Sequence, residues 1–197
     1  MRSELLASLR PALVLLILFS LLLGLAYPAL ITGVAQVAMP AQANGSLVRE
    51  GDRVVGSELI AQGFAGPGYF HPRASAAGKG YNAAATAATN LAPGSQDLRD
   101  AVATRAAQAR AEGLKTGGIP ADLVTTSASG LDPDLSPEAA LAQSSRIAAT
   151  RNLPERQVRE LVERNVAGPL LGLIGERRVN VLALNRQLDR IAPNAVR

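Results

Sequence analysis

From Pro11 to Val48 the chain carries no charged residue. Within that stretch "ALVLLILFSLLLGLAYPALI", Ala12 to Ile31, supplies about 20 largely apolar positions, enough at ~1.5 Å per residue to cross a hydrocarbon core of about 30 Å. A segment of this kind has one low-energy solution in a bilayer, a helix that satisfies its own backbone hydrogen bonds. The competing reading is a cleaved signal peptide, since "AQA" at Ala41–Ala43 resembles a small-x-small cleavage site. Retention is favoured because the apolar run exceeds a signal core of about 7–15 residues, and because "AQA" lies well beyond its end. Arg2, Arg10 and the terminal amine precede the span, while the next charge is Arg49. The excess of positive charge places the N-terminus inside and the rest outside. The expected division is therefore 1–11 cytoplasmic, 12–31 transmembrane, 32–47 connector and 48–197 one compact exported domain. In a bacterium that is an inner-membrane protein with its main domain periplasmic or extracellular. Within the span, Ser20 and Gly24 form a small-xxx-small ridge that admits a neighbouring helix, although small residues facing lipid account for the pattern equally well.

The exported part reads as α+β, helix-dominated with a few short strands. "DRVVGSELIAQ" mixes β-branched residues with partial alternation and predicts strand. "SQDLRDAVATRAAQARAEG" is an amphipathic helix, with Leu98, Val102, Ala106 and Ala109 on one stripe and Gly113 as its stop. A turn at "TGGIP" leads to an expected short strand over Leu123 to Thr126. Ser136 with Pro137 opens a second helix as N-cap and first residue. A third starts near Pro154, with Val158, Leu161, Val162 and Val166 inward and Glu155/Arg159 and Glu160/Arg164 as i,i+4 pairs. A last helix starts at Asn180, with Val181, Leu184, Leu188 and Ile191 on one face.

Composition narrows the chemistry. Cysteine is absent, which excludes disulfides, thiolate nucleophiles and thiolate metal sites. Aromatic residues make up 3% of the chain and tryptophan is missing, a poor basis for stacking nucleic-acid bases. The formal charge of +4 comes almost wholly from arginine, Lys79 and Lys115 being the only lysines. Acids without bases occupy the stretch between Lys115 and Arg146, and arginines dominate from Arg146 to Arg190. An acidic patch beside a basic face suggests docking more than polyanion binding.

No catalytic or metal constellation emerges. "HPRASAAGKGYNAAATAATN" contains Gly78-Lys79-Gly80, but a phosphate loop needs a glycine where Arg73 stands and a hydroxyl where Gly80 stands. His71, the only histidine, lies beside Pro72 in a loop with Ser75 and no evident acid. A triad or a zinc site would have to be built on it alone. Asp132, Asp134 and Glu138 in "LDPDLSPE" fail the EF-hand pattern and read as turn and helix-start residues, with a weak docking or cation-attracting patch as the alternative. Arg177 and Arg178 read as a solvated loop.

Several stretches together resemble one family, the C subunit of the Kdp-type potassium-transporting ATPases of bacteria and archaea. They are the N-terminal span, "RASAAGKGYNAAATAATNLAPGS", "IPADLVTTSASGLDPDLSPEAALAQ", "RIAATRNL" with "VRELVERN", and "RVNVLALNRQLD". The resemblance implies an accessory subunit without a pore or a hydrolytic site. Its partners would be a potassium-selective channel-like subunit, a P-type ATPase subunit and a small fourth subunit. Two roles attach to the family: a catalytic chaperone that raises ATP affinity, and an external domain near the potassium entrance. With the domain outside, direct ATP contact conflicts with the topology, so the second role is favoured; ATP and potassium are handled by the complex, with no cofactor bound covalently here. Arg73, Tyr81, Asn82, Thr89 and Asn90 match one family motif, and Asp122 and Asp132 match another; these are the candidate partner-binding residues. The family commonly reads Ser-Gly-Gly-Ser-Asn where this chain has Thr86 to Asn90, and histidine where Asp134 stands. A tethered periplasmic hydrolase is the alternative reading, and it would require His71.

Overall fold

The computed structural model describes residues 2–114, 118–169 and 171–193. Met1 with its terminal amine, Lys115 and the Thr116–Gly117 part of the expected turn lie outside the described residues. The chain divides into two compact units, Met1–Leu47 and Val48–Arg197.

The first unit is almost entirely helical: α1 (Arg2–Leu21), a π-helical turn (Leu22–Ala26) and α2 (Tyr27–Ala38) follow without a break. The stretch Ala7–Ala38 is apolar and long enough to span a membrane, and none of it is buried against the protein. The wide turn has a sequence cause. Pro28 has no N–H to offer the carbonyl of Gly24, and its ring crowds that oxygen. The backbone responds with a longer-range bond, Tyr27 N–H to the Leu22 carbonyl. Gly24 therefore sits inside the widened turn, out of regular i,i+4 register with Ser20. The helix also starts before residue 12 and runs past residue 31. Part of the expected connector is helical as well, in α3 (Pro40–Ala43). Asn44 closes that turn, its side-chain N–H donating to Pro40 O at 2.7 Å and to Gln36 Oε1 at 3.0 Å.

The second unit begins with a two-stranded sheet of β1 (Leu47–Glu50) and β2 (Arg53–Ser57), turning at Gly51. A segment without regular structure, residues 58–95, then wraps the domain. The helices are α4 (Gln96–Ala111), α5 (Ala121–Val124), α6 (Pro137–Ala142), α7 (Ser144–Arg151), α8 (Glu155–Arg164) and α9 (Val181–Ile191). Two short strands, β3 (Asp134–Leu135) and β4 (Val179–Asn180), pair antiparallel with Asp134 opposite Asn180. The caps expected at Ser136 and Asn180 form, accepting the N–H groups of Ala139 and Ala183, and Ser95 caps α4 in the same way through Leu98 N–H. Each satisfies one of the otherwise orphaned donors of a helix start.

The core lies where α8 packs on α7, α6 and α9. Val158, Val162, Leu184 and Leu188 are buried there with Phe70, which comes from the irregular segment. Burying Phe70 contributes about 2–3 kcal/mol. Three expectations need correction. The strand expected over Leu123 to Thr126 is instead the single helical turn α5, started after Pro120 and closed by Thr125 N–H on Ala121 O; only Thr126 keeps a strand-like bridge, to Ala74. The helix starting at Ser136 breaks at Gln143 into α6 and α7. Ile191, at the frayed end of α9, is 44% exposed instead of inward.

Gly130 is the tightest point of the wrap. Its φ is +68°, and a Cβ there would lie 2.8 Å from both Ala77 N and Ala87 O. Backbone from two parts of the segment closes on it, so neither conformation nor space admits a side chain. Gly130→Ala is expected to cost about 2 kcal/mol or more in urea unfolding. Gly168→Ala, where a Cβ meets nothing within 4 Å, should stay within about 0.5 kcal/mol. Equal effects would contradict the close approach.

Candidate functional site

The irregular segment is held by polar side chains projecting from the helices. Asn185, 1% exposed on α9, accepts from Phe70 N at 2.8 Å and donates to Phe70 O at 3.0 Å. Gln143, 2% exposed at the α6/α7 break, does the same for the next residue, accepting from His71 N at 2.8 Å and donating to His71 O at 3.0 Å. Two carboxamides thus replace the partner strand that these backbone groups would otherwise need. Arg151 of α7 donates through Nε to Gly68 O at 2.6 Å, pairs with Asp189 at 2.7 Å and lies over the Tyr69 ring at 4.6 Å. Arg146 donates to Pro67 O and, at 2.7 Å, to Gln143 Oε1. Burial lowers the Arg146 pKa from its ordinary value, and the nearby Glu112 charge acts in the opposite direction.

Four of the sequence-selected residues, Arg73, Tyr81, Asp122 and Asp132, meet in a second node. Arg73 binds Asp132 at 3.1 Å through Nη1 and lies 3.9 Å from Asp122 through Nε. Its Nη2 donates to Thr126 O at 3.3 Å. The Tyr81 hydroxyl donates to Arg73 O at 2.9 Å, and burial raises the Tyr81 pKa. Asp122 also accepts from Ser136 N at 2.8 Å, tying α5 to the start of α6. The side chains of Arg73, Asp122 and Asp132 are directed to each other, so they order the loop from within. Asn82, Thr89 and Asn90 are not part of this node: all three are exposed, and Asn90 has φ +51°.

The acidic stretch is correspondingly neutralised inside the domain. Asp134 pairs with Arg178 at 3.2 Å and accepts from Asn180 at 3.3 Å. Arg178 is therefore anchored, in contrast to the solvated loop expected for it. His71 also has an acid after all, because Glu112 at the end of α4 lies 3.2 Å from Nδ1 while Nε2 is 3.0 Å from Gly66 O. Both ring nitrogens are engaged away from Ser75. The Ser75 Oγ accepts from Ala77 N and Tyr81 N at 3.1 and 2.8 Å, so it serves the turn. The same turn spends Gly80 N–H and Asn82 N–H on Ala77 O. Amides committed in this way cannot wrap a phosphate, and Lys79 stands exposed on the turn's outside. A cleft of about 200 Å³ beside it is lined by His71, Tyr81, Arg105, Glu112 and Gln143 among others. Among the described residues no three His, Asp or Glu side chains gather as a metal ion would require.

A family described as "KdpC: K+-transporting ATPase, c chain" matches residues 9–190. The chain belongs to the KdpC family. Among its relatives, the Potassium-transporting ATPase KdpC subunit of Caulobacter vibrioides (strain NA1000 / CB15N) is 56% identical over 189 residues, 95% of each chain. The subunit of the same name from Allorhizobium ampelinum is 54% identical over 185 residues, 93% of this chain and 96% of that one. That of Rhodospirillum rubrum is 51% identical over 191 residues, 96% and 99%. The KdpC match takes in both the apolar helix and the clamped segment, so the two units belong to a single family architecture.

Sequence reasoning selected Arg73, Tyr81, Asp122 and Asp132 as partner-binding candidates, and the structure shows them bonded within the domain; it did not select Gln143, Asn185 or Arg151. A signal existed for Asn185: a carboxamide next to Leu184, four residues after Val181 and three before Leu188, stands on the inward face of an apolar stripe.

Asp134 gives a pH test. Burial raises its pKa above the ordinary 3.8, as does Asp132, and Arg178 and Asn180 only partly offset this. A raised carboxyl pKa stabilises the fold below the unfolded value, and that contribution is lost as pH rises through the folded value. The stability of Asp134→Asn relative to the parent should therefore increase between about pH 3 and about pH 7 in denaturant titrations. A constant or falling difference would contradict the assignment.

Proposed function

We propose that this chain is an accessory, non-catalytic subunit of an ATP-driven potassium uptake complex, held by one membrane span with its second unit on the outer side. The observation that carries the reading is the full-length match to proteins named as subunits of a potassium-transporting ATPase, 56% identical over 95% of the chain in one case. Its partners in this reading are the potassium-selective channel-like subunit, the P-type ATPase subunit and a small fourth subunit. ATP hydrolysis and potassium selection reside in the first two, and this chain stabilises the assembly from the external face near the potassium entrance.

Three features support that division of labour. Arg10 precedes the apolar run and no charge follows before Arg49, the asymmetry that keeps an N-terminus inside. The turn around Lys79 spends its amides internally, which disfavours a nucleotide cradle. The ion pairs of Arg73 and Arg178 stabilise a rigid shape, the property a docking subunit needs. A chaperone effect on ATP affinity would then pass through the partner subunits instead of through nucleotide bound here.

An affinity-tagged full-length chain solubilised in mild detergent should bring down the ATPase and channel-like subunits in fixed ratio, and isolation without them would overturn the proposal. For sidedness, Lys79→Cys in this cysteine-free chain should react with an impermeant maleimide added to intact spheroplasts. Reaction only after lysis would place the domain inside.

A further inference from the structure

One surface feature is used by none of the interactions above. Between Ala167 and Arg178, whose backbones exchange hydrogen bonds at 2.8 and 3.0 Å, the chain forms a loop with no charge from Gly168 to Gly175. At its tip Leu171, Leu173 and Ile174 are 86%, 87% and 66% exposed. Leu171 takes a left-handed φ of +53°, flanked by Gly172 at +75°, a conformation that costs free energy for a branched side chain. Exposed apolar side chains gathered at one place mark an interaction site.

We propose that this loop dips into the surface of the lipid bilayer to which the chain is anchored, as a second, reversible membrane contact. The chain carries a helix able to span a membrane, and only residues 39–46 separate the end of α2 from β1. Eight residues, four of them wound into α3, make a short tether, so a bilayer is the apolar phase the chain itself brings within reach of the domain. The stem of the loop meets the segment that follows the β1–β2 hairpin: Asn180 Nδ2 donates to Glu58 O at 3.0 Å, and Glu58 and Leu59 line one cleft with Ala167 and Arg178. Leu59, 60% exposed, extends the apolar surface. Arg177 stands exposed at the stem, beside the Arg178–Asp134 pair, where lipid phosphates would lie if the tip entered the acyl region.

The side chains themselves favour a fluid apolar phase over a protein pocket. They are aliphatic and bring neither the aromatic anchors nor the hydrogen-bonding groups that dominate protein interfaces. Lipid requires no shape complementarity. The inference rests only on membrane anchoring, whichever side of the membrane the domain occupies.

The test uses the full chain, free of native cysteine, with an environment-sensitive fluorophore on Leu173→Cys, reconstituted alone in phosphatidylethanolamine/phosphatidylglycerol vesicles. Leu16→Cys reports the anchor and Lys79→Cys the solvated surface. Brominated lipid should quench the Leu173 probe at least about twofold more than the Lys79 probe, with a blue-shifted emission. Quenching no stronger than at Lys79, with Leu16 still quenched, would overturn the proposal while leaving the anchor intact. A blue shift that appears only when solubilised ATPase subunits are added would also overturn it, assigning the loop to a protein surface.

Discussion

The carboxamides of Gln143 and Asn185 hold Phe70 and His71 by four hydrogen bonds, and the wrap of the irregular segment follows from that attachment. Backbone groups taken out of water without partners cost about 1–3 kcal/mol each. Phe70 can occupy the core only because its own N–H and C=O are satisfied there. Once the two residues are fixed, the Pro67 and Gly68 carbonyls come within reach of Arg146 and Arg151, and Arg73 arrives between Asp122 and Asp132. A helical core therefore carries more than thirty residues without helix or strand, yet joined to it at defined points.

This construction decides which groups are left for function. Charges that appear in sequence as an acidic stretch and a set of arginines are largely spent on each other, in Arg73–Asp132, Arg178–Asp134 and Arg151–Asp189. What remains on the outside is polar loop surface around Asn82, Thr89 and Asn90, and the aliphatic tip at Leu171 to Ile174.

Much of the helical framework was legible because its determinants are local. Val158, Leu161 and Val162 repeat at helical spacing, and Ser95, Ser136 and Asn180 announce helix starts by a side-chain oxygen three residues before the amide it accepts. The irregular segment was not legible, since its partners lie 59, 72 and 115 positions away in sequence. Nothing near Arg73 indicates that two aspartates will meet it. The expected strand at Leu123 to Thr126 failed for a related reason: its β-branched residues suggested a ladder, but Pro120 and Asp122 start a helical turn that puts Asp122 beside Arg73. The family resemblance singled out Arg73, Tyr81, Asp122 and Asp132 together with Asn82, Thr89 and Asn90, without indicating that the first four bind one another while the last three stand exposed.

The most direct measurement is site-resolved hydrogen exchange of the full chain in detergent, comparing the Phe70 and His71 amides with those of residues 88–90 and with helix α8. The account predicts that Phe70 and His71 exchange as slowly as the buried turns of α8, although they belong to no helix or strand, while residues 88–90 exchange as an open loop. Exchange of Phe70 and His71 at the open-loop rate would contradict it.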